Sequence, residues 1–441
     1  MNCMTSEYNI NEYSNSSIGH GTPSRRAQAK ILRAAAGGAG ENPASRPSPG
    51  SRLSAAGARA LWCLASLLLC GAEAFGQSNV LPPKPVPGPG TVIVHSKFGG
   101  QIFGFDIDQS GAEGVLSEAQ DLSNGNVLAA VETFDQHTGK ILKVVSETQT
   151  KDDFITLGVA GNRVGLVEHE HVQGIFVVKR TFTTIHPLNA NKFTGVWTPP
   201  VGSDHIIMPT GVSRSQGEPN AAVFAYDNSG EFIPWVFSSN VAANTFGPVV
   251  DITDSDNFGS VPPPIAYDSV TNQAILGGGN GCFGCFPVIG LVDLTQATFT
   301  EFTGIGFGFI NGLAVDSADG IFCTTTEDDA KVEFYKLATQ TGFAVVLPGS
   351  GGQQIFSGAD VEFDPVHKLF LVAQPVSSSE QGSSTIYVYD TQGSLKETLN
   401  GFSFSNTFNV VPAHITLHPS LRSGYVDGPD SGVTEIQSFT Y

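Results

Sequence analysis

Four stretches decide the fold: IAYDSVTNQAILGG from Ile265, LAVDSADGIFCT from Leu313, VEFDPVHKLFLV from Val361 and ITLHPSLRSGYV from Ile415. Each runs from a short apolar segment through an Asp or His into a polar cluster and then a second apolar segment. The landmark residues Asp268, Asp316, Asp364 and His418 lie 48, 48 and 54 positions apart. Alternating apolar residues around a turn-forming polar cluster predict a β-hairpin, here one that recurs along the chain.

A second element accompanies the first. AVFAYDNSGEF, STIYVYDTQGSL and IFGFDIDQSG place an Asp three residues before a Gly, at Asp227/Gly230, Asp390/Gly393 and Asp108/Gly111. FDQHTG is a longer variant at Asp135/Gly139. These predict a second hairpin per repeat, the Gly supplying the positive φ of a tight turn. Two hairpins make a four-stranded antiparallel unit that cannot bury both faces alone, and radial stacking of such units buries them. The expected fold is therefore all-β: a β-propeller of about seven four-stranded blades, six or eight also fitting the spacing. Blades are expected near residues 175, 210, 280, 325, 375 and 425, with TVIVHS, QIFGFDID and VLAAVETFD supplying one more or completing the last. Only 14% of residues are charged while Gly numbers 51, Phe 30 and Pro 26, which suits short strands and turns over long solvated helices.

Upstream of the repeats the sequence reads as an address. LWCLASLLLC (Leu61–Cys70) follows Arg52 and Arg59 and precedes Ala72-Glu73-Ala74. Positive flank, short apolar run and small-residue exit predict a secretory signal over about 52–74. The run is too short to span a bilayer, so no transmembrane anchor is expected in the mature chain. No Met lies between Met4 and Met208, so the signal has either an unusually long n-region or a non-Met start near Leu53. Cys70 as a lipidation site is disfavoured by Leu69 before it. LPPKPVPGPG (Leu81–Gly90) predicts a stiff spacer. The organisation expected is thus an N-terminal extension and signal (1–76), a proline-rich linker (77–90) and a propeller domain (91–441), periplasmic or extracellular.

Residues 1–76 hold seven of the 22 Lys and Arg and four of the 41 Asp and Glu, leaving 15 basic and 37 acidic residues for the remainder. A domain that acidic repels phosphate backbones and anionic lipid, which argues against nucleic acid or a membrane surface as partner. A small molecule, a glycan or a protein outside the cytoplasm is the expected partner, and a monomer the expected state.

Over roughly residues 91–441 the chain resembles bacterial exported propellers with YVTN-type, NHL-type or SMP-30/gluconolactonase-like repeats. The resemblance is one of architecture and repeat style, and implies function only weakly. In a propeller the first strand of each blade lines the central channel, so residues where these strands begin are candidate ligand contacts: Asn311, Asp360, His414 and His205. An Asn, an Asp and a His converging there suit a polar ligand or a hard cation. Lactonases of the SMP-30 type hold a divalent metal with Asn, Asp and Glu, and INGLAVD (Ile310–Asp316) resembles their Asn-bearing strand. However, aligning the hairpins sets Asn311 opposite Ala359, leaving Asp360 one residue out of register.

Two further clusters stand out. His169 and His171 in EHEH would share one face of a strand, where two imidazoles could chelate Zn²⁺ but need a third ligand. Cys282 and Cys285 in GGGNGCFGCF suit a local disulfide in an oxidising compartment, with Cys323 left over. There is no G-x-S-x-G elbow, P-loop or HExxH helix. The leading expectation is an exported binding or interaction module. The alternative is a metal-dependent hydrolase or lactonase with a bound Ca²⁺ or Zn²⁺.

Overall fold

The computed structural model describes residues 92–107, 112–124, 126–150, 154–160, 163–169, 181–185, 192–196, 207–214, 220–227, 233–240, 245–252, 256–258, 263–279, 286–326, 331–348, 360–377, 384–402, 405–406, 414–430 and 433–441. The chain divides into two units, Met1–Phe75 and Gly76–Tyr441, and every described residue lies in the second. The expected signal sequence and proline-rich linker lie outside the described residues, as do His171, His205, Cys282 and Cys285. Among the described residues no helix is long and apolar enough to cross a membrane.

The described residues are almost entirely strand. β1 (Ile93–His95) stands apart from the strands that follow it. The first sheet holds β2 (Gln101–Ile107), β3 (Glu113–Asp121), β4 (Val127–Asp135) and β5 (Ile141–Thr150). The second holds β6 (Phe154–Ala160), β7 (Arg163–His169), β8 (Thr181–Ile185) and β9 (Lys192–Val196). The third holds β10 (Ile207–Arg214), β11 (Asn220–Asp227), β12 (Ile233–Asn240) and β13 (Thr245–Asp251). The fourth holds β14 (Ile265–Asp268), β15 (Gln273–Gly279), β16 (Pro287–Asp293) and β17 (Thr298–Thr303). The fifth holds β18 (Ile310–Asp316), β19 (Ile321–Thr326), β20 (Lys331–Lys336) and β21 (Thr341–Val346). In the sixth, β22 (Asp360–Asp364), β23 (Leu369–Gln374), β25 (Ser384–Asp390) and β26 (Leu395–Phe402) pair in that order. β24 (Val376–Ser377) and β27 (Ser405–Asn406) form a small parallel pair. The seventh holds β28 (Ile415–His418), β29 (Ser423–Asp430) and β30 (Val433–Thr440), and its outer strand is β1, returned from the other end of the domain.

All seven four-stranded sheets are antiparallel, joined strand to strand as the hairpin repeat predicts. TVIVHS completes the last sheet, whereas QIFGFDID and VLAAVETFD belong to the first. Hydrophobic cores lie between neighbouring sheets. Val332 and Phe334 of the fifth pack with Val361, Phe363, Phe370 and Tyr389 of the sixth, and Phe334 meets Phe370 edge-on at 5.8 Å. Ile415 and Leu417 of the seventh join Leu371, Ile386 and Val388 of the sixth. Val94, Tyr425 and Ile436 of the seventh join Ile102, Phe105, Leu116 and Phe134 of the first. Inner strands such as β16, β19 and β23 thus bury both of their alternating faces, which their near-continuous apolar runs require, while the outer strands β17, β21 and β26 are largely exposed.

The turn chemistry recurs in register. Asp268, Asp316 and Asp364 are buried at the ends of their strands, each accepting backbone N–H bonds from the residues that follow. Four positions after each landmark stands a left-handed residue: Asn272 (φ 55), Gly320 (φ 60), Lys368 (φ 57) and Arg422 (φ 48). The Asp carboxylate replaces backbone acceptors across the turn, and the left-handed residue turns the chain back into the next strand. Asp135, with Gly139 at φ 68, repeats the device in the hairpin between β4 and β5. The shorter Asp-x-x-Gly spacing is less regular in place. Asp390 ends β25 ahead of the β25–β26 hairpin as expected, but Asp227 ends the second strand of its sheet, and Asp108 lies outside the described residues. An Asp that caps a turn serves any tight connection, whatever the rank of its strand.

Candidate functional site

Counting back four residues from Asp316, Asp364 and His418 reaches Gly312, Asp360 and His414, equivalent positions at or close to the start of first strands β18, β22 and β28. Asn311 falls outside this register because it occupies a β-bulge. Ile310 pairs with Thr326 and Gly312 with Thr325, leaving Asn311 as the extra residue. Similar register shifts lie between Ile102 and Gly104 in β2 and between Pro209 and Gly211 in β10. The bulge explains the one-residue offset between Asn311 and Asp360, since an inserted residue re-aims its side chain without disturbing the strand that follows.

Asp360 and His414 meet across the seam between the sixth and seventh sheets. Asp360 Oδ1 accepts the Val361 N–H at 2.8 Å, and its Oδ2 accepts the Ile415 N–H at 3.1 Å, one residue beyond His414. His414 is tied on its other side to Asp427 of β29. Its backbone N–H donates to Asp427 Oδ1 at 2.7 Å, and its ring Nδ1 lies 3.2 Å from the same oxygen. Asp427 is 1% exposed, whereas the His414 side chain keeps 30% of its surface open. The result is an imidazole between two carboxylates, fixed through Nδ1.

Both charges are shifted. Burial pushes the Asp360 carboxyl up to about 6, against the opposing pull of His414 and of its backbone donors. Burial alone would lower His414, but the carboxylates of Asp427 and Asp360 outweigh it and hold the imidazole at about 8. At neutral pH the ring is therefore mainly an imidazolium. Two polar atoms nearby in the repeat are buried without hydrogen-bond partners, Asp427 Oδ2 and Asn311 Nδ2. Orphaned buried donors and acceptors are groups that a polar ligand or ordered water could satisfy.

Asp427 was not singled out from sequence, yet the hairpin register carries it. His418 pairs with Ser423, Leu417 with Gly424 and Ile415 with Val426, so His414 falls opposite Asp427. Counting outward from the turn would have found it. Asn311 is not among the groups bonded to Asp360 or His414. His169 ends β7. Among the described residues no three His, Cys, Asp or Glu side chains are grouped to hold a metal ion, and Cys323 is a free, fully buried thiol whose ionisation burial opposes.

The same end of the sheets carries an exposed aromatic pair. Phe286 precedes Pro287, which pairs with Gly279 at the end of β15, and Phe307 lies just ahead of β18. Their rings stand 5.4 Å apart and are 56% and 39% exposed. Comparison of the chain with protein-family models and with curated proteins finds no match.

Proposed function

We propose that the chain is an exported seven-bladed β-propeller that works as a binding module, seating a neutral, hydroxyl-bearing ligand at the end of the disc that carries His414. The propeller reading is supported by the run of neighbours among first strands: β2 lies beside β6, β6 beside β10, β10 beside β14, β14 beside β18, β18 beside β22, β22 beside β28, and β28 beside β2. It is supported too by β1, whose place in the seventh sheet ties the two ends of the domain together, a common way to fasten a ring of blades.

One observation carries the functional reading: His414 is held between buried Asp427 and Asp360 while a third of its side chain stays open. Such a ring offers a fixed, charged donor beside carboxylate acceptors, a combination suited to ligand hydroxyl groups. The acidic domain disfavours anions, and exposed Phe286 and Phe307 add apolar surface at the same end. Calorimetry with neutral oligosaccharides at pH 6.5 is the direct test, with His414→Ala expected to weaken binding at least tenfold. Binding that His414→Ala leaves unchanged would move the site elsewhere. Metal analysis of the purified protein and a lactone-hydrolysis assay with and without chelator address the alternative, a metal-dependent lactonase. Stoichiometric Ca²⁺ or Zn²⁺ with chelator-sensitive turnover would replace the binding reading by the hydrolytic one.

A further inference from the structure

Away from this site, two glutamates are buried side by side in the first sheet. Glu118 of β3 pairs with Ala130, and Glu132 lies two residues further along β4 on the same face; the two are 1% and 0% exposed. The segment linking β1 to β2 crosses over them. Lys97 N–H donates to Glu132 Oε2 at 2.8 Å, Phe98 N–H to Glu118 Oε1 at 3.1 Å and Gly100 N–H to Glu118 Oε2 at 2.8 Å. β1 itself pairs with β30, Ile93 opposite Gln437 and Val94 opposite Ile436. Residues 92–100 therefore connect the seventh sheet to the first, and the two carboxyl groups fix the connection.

The arrangement satisfies one carboxylate and not the other. Both oxygens of Glu118 accept backbone N–H groups, whereas Glu132 Oε1 is buried with no hydrogen-bond partner. A second buried negative charge beside Glu118 costs free energy that a single N–H from Lys97 does not offset. We propose that β1 and the Ser96–Gly100 loop form a pH-sensitive clasp across the seam between the seventh and first sheets, tight while Glu132 keeps its proton and loosened when it loses it.

The charged groups acting on Glu132 are Glu118 from β3 and Lys97 from the loop. Burial and the Glu118 charge raise its carboxyl to about 7 from an ordinary 4.5, while the Lys97 N–H and ammonium pull the other way. The Lys97 ammonium is drawn over the Phe98 ring at 4.9 Å. On β1 the described residues also include the exposed pair His95–Glu435 at 3.6 Å, weak because both groups are solvated. The sign follows from linkage. Below pH 4.5 the carboxyl is protonated whether the clasp is held or released, so ionisation adds no penalty. Between 4.5 and 7 only the released carboxyl ionises, so closure weakens as pH rises, and the loss levels off above 7.

Hydrogen exchange on the full chain tests this at the Lys97, Phe98 and Gly100 amides, with rates divided by their intrinsic pH dependence. Protection is expected to fall at least tenfold between pH 5 and 7 and then level, while the Leu371 amide in β23 falls much less. In Glu132→Gln the fall should vanish. Glu118→Gln, which leaves Glu132 without its like-charged neighbour, should make the fall smaller and end it at lower pH. Constant protection in the unmodified chain overturns the proposal, as does an equal fall in either variant. Recovery of protection by Ca²⁺ at pH 8 would likewise overturn it, marking the pair as a cation site.

Discussion

Replacing Asp427 by Asn should bring the His414 imidazole down from about 8 by at least one unit, toward or below its ordinary 6.5. Asn keeps an oxygen where Asp427 Oδ1 now accepts both the His414 backbone N–H and the ring, so shape and hydrogen bonding are largely retained and the charge is lost. What remains acting on the ring is burial, which lowers it, and the Asp360 carboxylate, which raises it. A full charge removed at 3.2 Å in a partly buried setting is worth about one to three units. Following the His414 ring signals by NMR against pH reads the value directly. The stability consequence has a defined sign. Because the folded imidazole lies above its ordinary value, its contribution is complete below pH 6.5 and is lost as pH rises through 8. The gap between unmodified protein and Asp427→Asn should therefore be widest at pH 6 and close above pH 8.5. A variant whose imidazole still titrates near 8 would mean that Asp427 is a mere hydrogen-bond partner, with Asp360 holding the charge.

The parts of this architecture that the chain declares in advance are those set by local chemistry. Asp268, Asp316 and Asp364 advertise turns because a carboxylate bonding the backbone two and three residues on is a local event. The spacing between those landmarks then counts the repeats, and the C-terminal four-stranded sheets follow. Pairing across distance is less visible. TVIVHS could complete the last unit or begin a new one on its pattern alone, and only its pairing with β30, over 340 residues away, decides which. The bulge at Asn311 is hidden for a related reason: an inserted residue shows only once the partner strand's register is known. At the candidate site, Asp360 and His414 were legible from repeat position. Asp427 was available through hairpin counting, and the glutamates under the clasp were not. Glu118 and Glu132 look like ordinary strand residues, and what sets them apart is a loop from the other end of the domain.

Asp364→Ala should destabilise the domain by about 3 kcal/mol, whereas the same change at Asp268, an equivalent repeat position, should cost about 1 kcal/mol. Within its own turn each carboxylate does similar service. Asp268 accepts the Val270 N–H at 3.1 Å and the Thr271 hydroxyl at 2.5 Å; Asp364 accepts the Val366 and His367 N–H groups at 2.8 and 3.0 Å. The difference is what comes from the next sheet. Asp364 Oδ2 accepts the Tyr441 hydroxyl at 2.8 Å and faces the His367 ring at 2.7 Å, and both Asp364 and Tyr441 are buried. Removing the carboxylate strands a buried phenol, which adds about 1–3 kcal/mol to the lost turn cap. Asp316 makes the intermediate case. Lys368 of the following hairpin reaches it at 2.8 Å, but that side chain is 40% exposed and its ammonium can return to water. The expected order of cost is therefore Asp364, then Asp316, then Asp268, read from urea unfolding midpoints at pH 7. Tyr441→Phe tests the cross-sheet bond from its other end. Its own cost should be about 1 kcal/mol, and Asp364→Ala made on that background should cost measurably less than on the unmodified chain. Additive costs would show that the two groups do not stabilise one another, and equal losses at Asp268 and Asp364 would reduce all three aspartates to turn caps.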